Sequence, residues 1–109
     1  FKKLKFDAMH DALTGLYNRK AIIEHLDKCI SVSLRRNSQL AVGFIDVNDL
    51  KIMNDQYGHD AGDDLIQGVA SAINISIRKS DFAARLGGDE FLIVRCVQSD
   101  RPVAIVFGD

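Results

Sequence analysis

The feature that most constrains the fold is a short apolar run, Leu40-Ala41-Val42-Gly43-Phe44-Ile45, which stops abruptly at Asp46. The run is too short for a typical helix, and a strand apolar along its whole length implies burial on both faces. Covering layers are then needed, and the flanking sequence supplies amphipathic helices. Upstream, Ile22, Leu26, Cys29 and Ile30 recur at helical spacing with Ile23 alongside, behind Asn18 as a candidate cap. Arg35-Arg36-Asn37-Ser38 reads as the polar end of that helix, where cations suit the dipole. Downstream, the pattern predicts a short helix over Asp49 to Gln56, a break at Tyr57-Gly58-His59, and a long helix over Asp60 to Lys79. Ala61, Leu65, Ile66, Val69, Ala70, Ile73 and Ile77 form the core-facing stripe of the long helix. Phe82 to Leu86 and Phe91 to Val97 read as the strands of a hairpin whose tip is Gly87-Gly88-Asp89-Glu90, with glycine supplying positive φ. Val103 to Phe107 reads as a last strand. The expected class is α/β (α+β), with helices around a small sheet.

Composition narrows the function. The chain has 109 residues, which allows one core and one domain. Fourteen Lys+Arg against fifteen Asp+Glu give a net charge of -1. That balance removes the basic face needed for non-specific nucleic-acid binding, and no nucleic-acid partner is expected. No apolar run approaches the ~18 residues of a membrane span. The start, Phe1-Lys2-Lys3-Leu4-Lys5-Phe6-Asp7, lacks a signal core, so a cytoplasmic location is expected, with any membrane anchor carried elsewhere in a parent protein. Residues 1–10 read as an incoming linker helix, and 11–109 as the domain. Cys29 and Cys96 lack zinc-site spacing; both lie in apolar stretches and read as reduced, buried thiols, with a single disulfide as the alternative.

Three carboxylates stand out by position. Asp46 ends the apolar strand, and Asp89 and Glu90 sit on the glycine hairpin. A charge at the end of a buried strand is costly unless it is paired or binds a cation. If the hairpin neighbours the Leu40–Ile45 strand, all three converge on one sheet edge and suit Mg²⁺, a hard cation that brings substrate phosphates. Gly87 and Gly88 would let backbone N–H groups approach a phosphate. The first helical turn at Asn48-Asp49-Leu50-Lys51 offers free N–H groups and a cation to an anion. The plainer reading makes Gly87–Glu90 an exposed turn and Asp46 a helix cap.

Gly87-Gly88-Asp89-Glu90-Phe91 resembles the signature of GGDEF diguanylate cyclase domains. Asp11-Ala12-Leu13-Thr14-Gly15-Leu16-Tyr17-Asn18-Arg19 is similar to the family's opening DxLTGLxNR motif, and Asp46 through Asp55 to its DxDxxKxxND segment. Tyr57-Gly58-His59 with Gly62-Asp63 resembles GHxxGD, and Ala84-Arg85-Leu86 before the double glycine fits as well. These motifs are co-linear over residues 11–97.

The resemblance implies a nucleotidyl-cyclase-like palm domain with a mostly antiparallel sheet, which condenses two GTP into cyclic di-GMP and two pyrophosphates. It implies Mg²⁺ (or Mn²⁺) on Asp46, Asp89, Glu90 and the Val47 carbonyl, with Asp89 and Glu90 catalytic. Asn54 and Asp63 would read guanine. The turn at Asn48, Asp49, Leu50 and Lys51, together with Gly87 and Gly88, would hold phosphates. Each subunit would hold one GTP, so a homodimer is needed for turnover. Arg78 and Asp81 fit the family's RxxD motif, which binds cyclic di-GMP and gives product inhibition; the plainer alternative is a helix-terminal ion pair. Arg19 reads as structural, paired with an acid such as Asp11. An upstream sensor or receiver domain is also implied.

Two departures stand beside the resemblance: Asn48 and Asp49 where the family often has a second Asp and a small or apolar residue. No segment after Val97 matches the family's late phosphate-binding Lys/Arg pair, so a missing C-terminal part is expected. The alternative function is a catalytically silent module that binds GTP or cyclic di-GMP and relays a signal, or that serves to dimerise.

Overall fold

The computed structural model describes residues 8–48, 50–97 and 105–108. Helix α1 spans Arg19–Arg36, strand β1 Gln39–Asp46, helix α2 Leu50–Tyr57 and helix α3 His59–Ser76. Strands β2 (Phe82–Arg85), β3 (Glu90–Val97) and β4 (Ile105–Gly108) follow. The element order matches the expectation. Residues 1–7 of the linker helix expected over 1–10, and Val103 and Ala104 of the expected last strand, lie outside the described residues; Ala8 and Met9 are helical.

The sheet has the order β2-β3-β1-β4. β3 runs antiparallel to both β2 and β1, and β4 runs parallel to β1. One face packs against α3: Ile66, Ala70 and Ile73 meet Val47, Ala83 and Phe91. The other packs against α1, where Ile22 meets Ala84, Leu92 and Val94. Alternate β3 side chains therefore enter opposite cores, and Phe91 and Val94 are wholly buried. Burying a side chain such as Phe91 stabilises the fold by about 1.5–3 kcal/mol.

The strand buried on both faces is thus β3. β1 was expected in that role, but it is only half-buried and Phe44 is 42% exposed. Ala41 and Gly43 offer little side chain to the α3 face, and α1 covers Leu40 and Val42 without reaching over Phe44. Ile23 and Ile30 also stay exposed on α1, leaving Ile22, Leu26 and Cys29 as its inner stripe.

Local chemistry sets the helix ends. Asn18 Oδ1 accepts from Ala21 N–H at 2.9 Å and caps α1 as expected. Its Nδ2 donates to Ala8 O at 2.9 Å and its N–H to Met9 O at 2.9 Å, tying the entering chain to the helix start. Gly58, at φ 90°, breaks α2 from α3, a value that side chains resist. α3 ends at Ser76 rather than Lys79, with Ile77 extended at ψ 157°. The cause lies downstream. Asp81 Oδ2 accepts from Arg78 N–H at 2.9 Å, and Asp81 N–H donates to Arg78 O at 2.9 Å, a turn that competes with the helix.

Two further expectations are corrected. Among the described residues the positive-φ glycines are Gly15 and Gly58, so Gly87 and Gly88 do not make their turn that way. Cys29 is buried as expected, but Cys96 is exposed, near the end of β3. Both are free thiols.

Candidate functional site

The register of β1 on β3 builds the acidic end of the sheet. Asp46 is the direct partner of Glu90, so the two carboxylates leave the same face of neighbouring strands. Val47 N–H donates to Asp89 O at 2.8 Å, which draws the third acid to the same place. Like charges placed opposite one another repel. Neither ion pair found among the described residues involves Asp46, Asp89 or Glu90.

These oxygens suit a hard divalent cation in kind. No group of three His, Cys, Asp or Glu among the described residues is close enough to cage a metal. Mg²⁺ does not require such a cage, because it commonly takes one or two carboxylates and fills its sphere with water and substrate phosphates. The paired carboxylates of Asp46 and Glu90 fit that partial kind of site.

The turn beside the acids is held from behind. Arg85 Nε donates to Gly87 O at 3.1 Å and Nη2 to Gly88 O at 3.0 Å. Arg85 Nη1 lies 3.3 Å from Asp11 Oδ2. Asp11 also accepts from Thr14 N–H at 3.0 Å and Thr14 Oγ1 at 2.8 Å. Burial would raise the Asp11 carboxyl, but the Thr14 hydrogen bonds and the Arg85 charge outweigh it and hold it below its ordinary value. Asp11 therefore pairs with Arg85 and not with Arg19, which is exposed at the start of α1. Nothing lies within 4 Å of where a Cβ would stand on Gly87 or Gly88, so the outer side of the turn is open to a ligand. Sequence reading did not assign Arg85 this clamping role; its place directly before the double glycine was the available signal.

Asn54 and Asp63 meet at the junction of α2 and α3. Asn54 O accepts from Gly58 N–H at 2.8 Å, and its side chain lies over Gly62, one residue before the exposed Asp63. Asn54 Oδ1 is buried without a hydrogen-bond partner, the only such side-chain atom among the described residues. An orphaned acceptor of this kind costs about 1–3 kcal/mol, which a bound donor would recover. Asn48 and Lys51 are exposed and Leu50, half-buried, opens α2; Asp49 lies outside the described residues.

Arg78 and Asp81 lie elsewhere. They precede Phe82, which pairs with Val94, at the end of β2 opposite Arg85. Arg78 is exposed. The Asp81 side chain is 1% exposed and is gripped by Arg95, with Nε to Oδ1 at 3.0 Å and Nη2 to Oδ2 at 2.8 Å. The Arg95 hydrogen bonds hold the Asp81 carboxyl below its ordinary value against the opposing effect of burial, helped by Arg78 N–H and by both Arg charges. An ion pair does form at the end of α3, but its cation is Arg95 on β3. A cavity of about 230 Å³ opens beside Asp81, between His10, Tyr17, Asn74, Lys79 and Phe82.

The family model described as Diguanylate cyclase, GGDEF domain, matches residues 8–104. The chain belongs to the GGDEF family. An uncharacterized signaling protein of Caulobacter vibrioides is 41% identical over 101 residues, covering 93% of this chain and 12% of that protein. The probable diguanylate cyclase DgcJ of Escherichia coli is 43% identical over 94 residues, 86% of this chain and 19% of DgcJ. The solved coiled coil and GGDEF domain of DgcB from Caulobacter crescentus, in complex with c-di-GMP, matches with a TM-score of 0.86 at 32% identity, over 91% of this chain and 52% of that one. A sensory box/GGDEF family protein from the same organism matches at 0.80 and 41% identity, over 86% and 60%. The chain thus spans a small part of these curated relatives and just over half of the solved GGDEF chains. The mixed fold with its mostly antiparallel sheet is the GGDEF fold. No helix among the described residues is long and apolar enough to cross a membrane.

Proposed function

We propose that this GGDEF chain carries the substrate site of a diguanylate cyclase, condensing two GTP into cyclic di-GMP and two pyrophosphates. The observation that carries the reading is the pairing of Asp46 with Glu90 beside an open glycine turn, with neither acid in an ion pair found among the described residues. Relatives named as diguanylate cyclases support it.

In this reading Asn54 and Asp63 select guanine. Asp63 accepts from N1–H and one N2–H. Asn54 Oδ1 accepts the other N2–H, which answers its orphaned state. Gly87, Gly88 and the start of α2 at Asn48, Leu50 and Lys51 hold the phosphates. A Mg²⁺ or Mn²⁺ ion, held by Asp46, Glu90, Asp89 and the Val47 carbonyl, would neutralise phosphate charge and acidify the attacking 3′-hydroxyl. Asp89 takes the proton of that hydroxyl. The new P–O bond forms at the α-phosphorus of the GTP on a facing copy, and the bond to the β-phosphate oxygen breaks to release pyrophosphate. Two copies are needed because each holds one GTP. Arg78, exposed beside the ordered Asp81 turn, binds cyclic di-GMP as an inhibitory site.

Calorimetric titration with GTP and Mg²⁺, followed by detection of cyclic di-GMP and pyrophosphate, tests the reading. Binding and product formation are expected, with Asp89→Ala and Glu90→Ala abolishing product. Binding without product would favour the silent relay module. Product formation untouched by both substitutions would overturn the assigned chemistry. Arg78→Ala should relieve product inhibition while leaving initial rates intact.

A further inference from the structure

We infer that Gly62 is a positioning residue for base selection: its missing side chain is the seat that fixes the Asn54 carboxamide, an inference that rests on the guanine reading of Asn54. Gly62 is buried inside α3, where its φ is ordinary and alanine would be the better helix former. Neither a turn nor positive φ accounts for glycine here. The neighbouring element does. A Cβ on Gly62 would collide with Asn54 Oδ1 and Cγ and stand 3.1 Å from Nδ2. The whole amide group of Asn54 therefore lies on the bare Cα of Gly62.

The colliding atoms are the end of a side chain, so a methyl group at position 62 would displace the amide and leave the two helix backbones in place. The backbone of Asn54 is held independently, through the bond from Gly58 N–H at 2.8 Å. Gly58 thus fixes where Asn54 starts and Gly62 fixes where its amide ends. The atom so held, Oδ1, is the buried acceptor without a partner. Asp63 follows Gly62 directly, so the same turn of α3 that seats one base-reading group carries the other. Selectivity for guanine then depends on a residue that touches no part of the nucleotide.

Titrations with GTP and with inosine triphosphate, which lacks the exocyclic amine, test this on the native chain, Gly62→Ala, Asn54→Ala and the double variant. Each single substitution should weaken GTP on the order of tenfold, cut the preference over inosine triphosphate to the part that Asp63 supports, and add nothing in the double variant. Thermal melts should show Gly62→Ala recovering stability when Asn54→Ala removes the colliding atoms, an outcome that can be read even if the single variant folds poorly. Additive losses, or a Gly62→Ala chain that keeps the native preference for GTP, would overturn the inference. An Asn54→Ala chain that binds GTP normally would instead overturn the guanine reading.

Discussion

Arg85 Nη1 lies 3.3 Å from Asp11 Oδ2, and the same guanidinium holds the carbonyls of Gly87 and Gly88. One planar fork thus joins the opening motif to the signature turn. A lysine can keep the charge but cannot hold two carbonyls and a carboxylate together.

Arg85→Lys should therefore lower cyclic di-GMP formation by about tenfold, because positioning of the turn is lost. The core stays intact, so the melting temperature should fall only slightly. Amide hydrogen exchange at residues 86–90 should quicken in the variant. Unchanged exchange and unchanged rate would remove the clamp from the mechanism.

The Asp81–Arg95 pair is expected to matter for stability. Arg95→Ala leaves a carboxylate that is 1% exposed with only a backbone donor, and should cost about 1.5–3 kcal/mol in chemical denaturation. The exposed position of Arg95, at 41%, favours the lower end. Because the folded-state pKa of Asp81 is depressed, its contribution is present above the ordinary value of 3.8 and is lost as pH falls through the folded one. Asp81→Asn should flatten the acid side of the stability profile below that range. A parallel acid slope in the variant would contradict it.

Periodicity made the elements legible. The spacing of Ile66, Ala70 and Ile73 marked α3, and the apolar run ending at Asp46 marked β1, because burial leaves a repeating trace along the chain. The acidic end followed once the hairpin was set beside β1. Pairings across the chain left no such trace. Asp11 and Arg85 are 74 residues apart, and nothing local distinguishes Arg85 from Arg19 as a partner. The early stop of α3 was hidden for a similar reason: Ile77 continues the apolar stripe, and only the Asp81 side chain turns the backbone away. Gly62 reads as part of a motif, while its structural reason lies on α2.

Asn18 supports two elements, so its removal should cost more than an ordinary cap. Asn18→Ala loses the bond to Ala21 N–H and the tie to Ala8 O. A loss of about 1–2 kcal/mol in urea denaturation is expected. Asn18→Asp should recover the cap but not the tie, because a carboxylate cannot donate to a carbonyl. Full recovery by Asp would show that the tie to the entering chain contributes nothing.

The two thiols should react at very different rates. Burial, with the neighbouring Cys96 thiol adding to it, pushes Cys29 up to about 11. At pH 8 only about one Cys29 in a thousand is then thiolate, the form that attacks a disulfide reagent. Cys96 is exposed, so a reagent reaches it directly. An aromatic disulfide reagent should therefore titrate one thiol per chain quickly and the second only in denaturant. Cys96→Ser should remove the fast phase and leave the slow one. Two fast thiols in the native chain would mean that α1 does not shield Cys29.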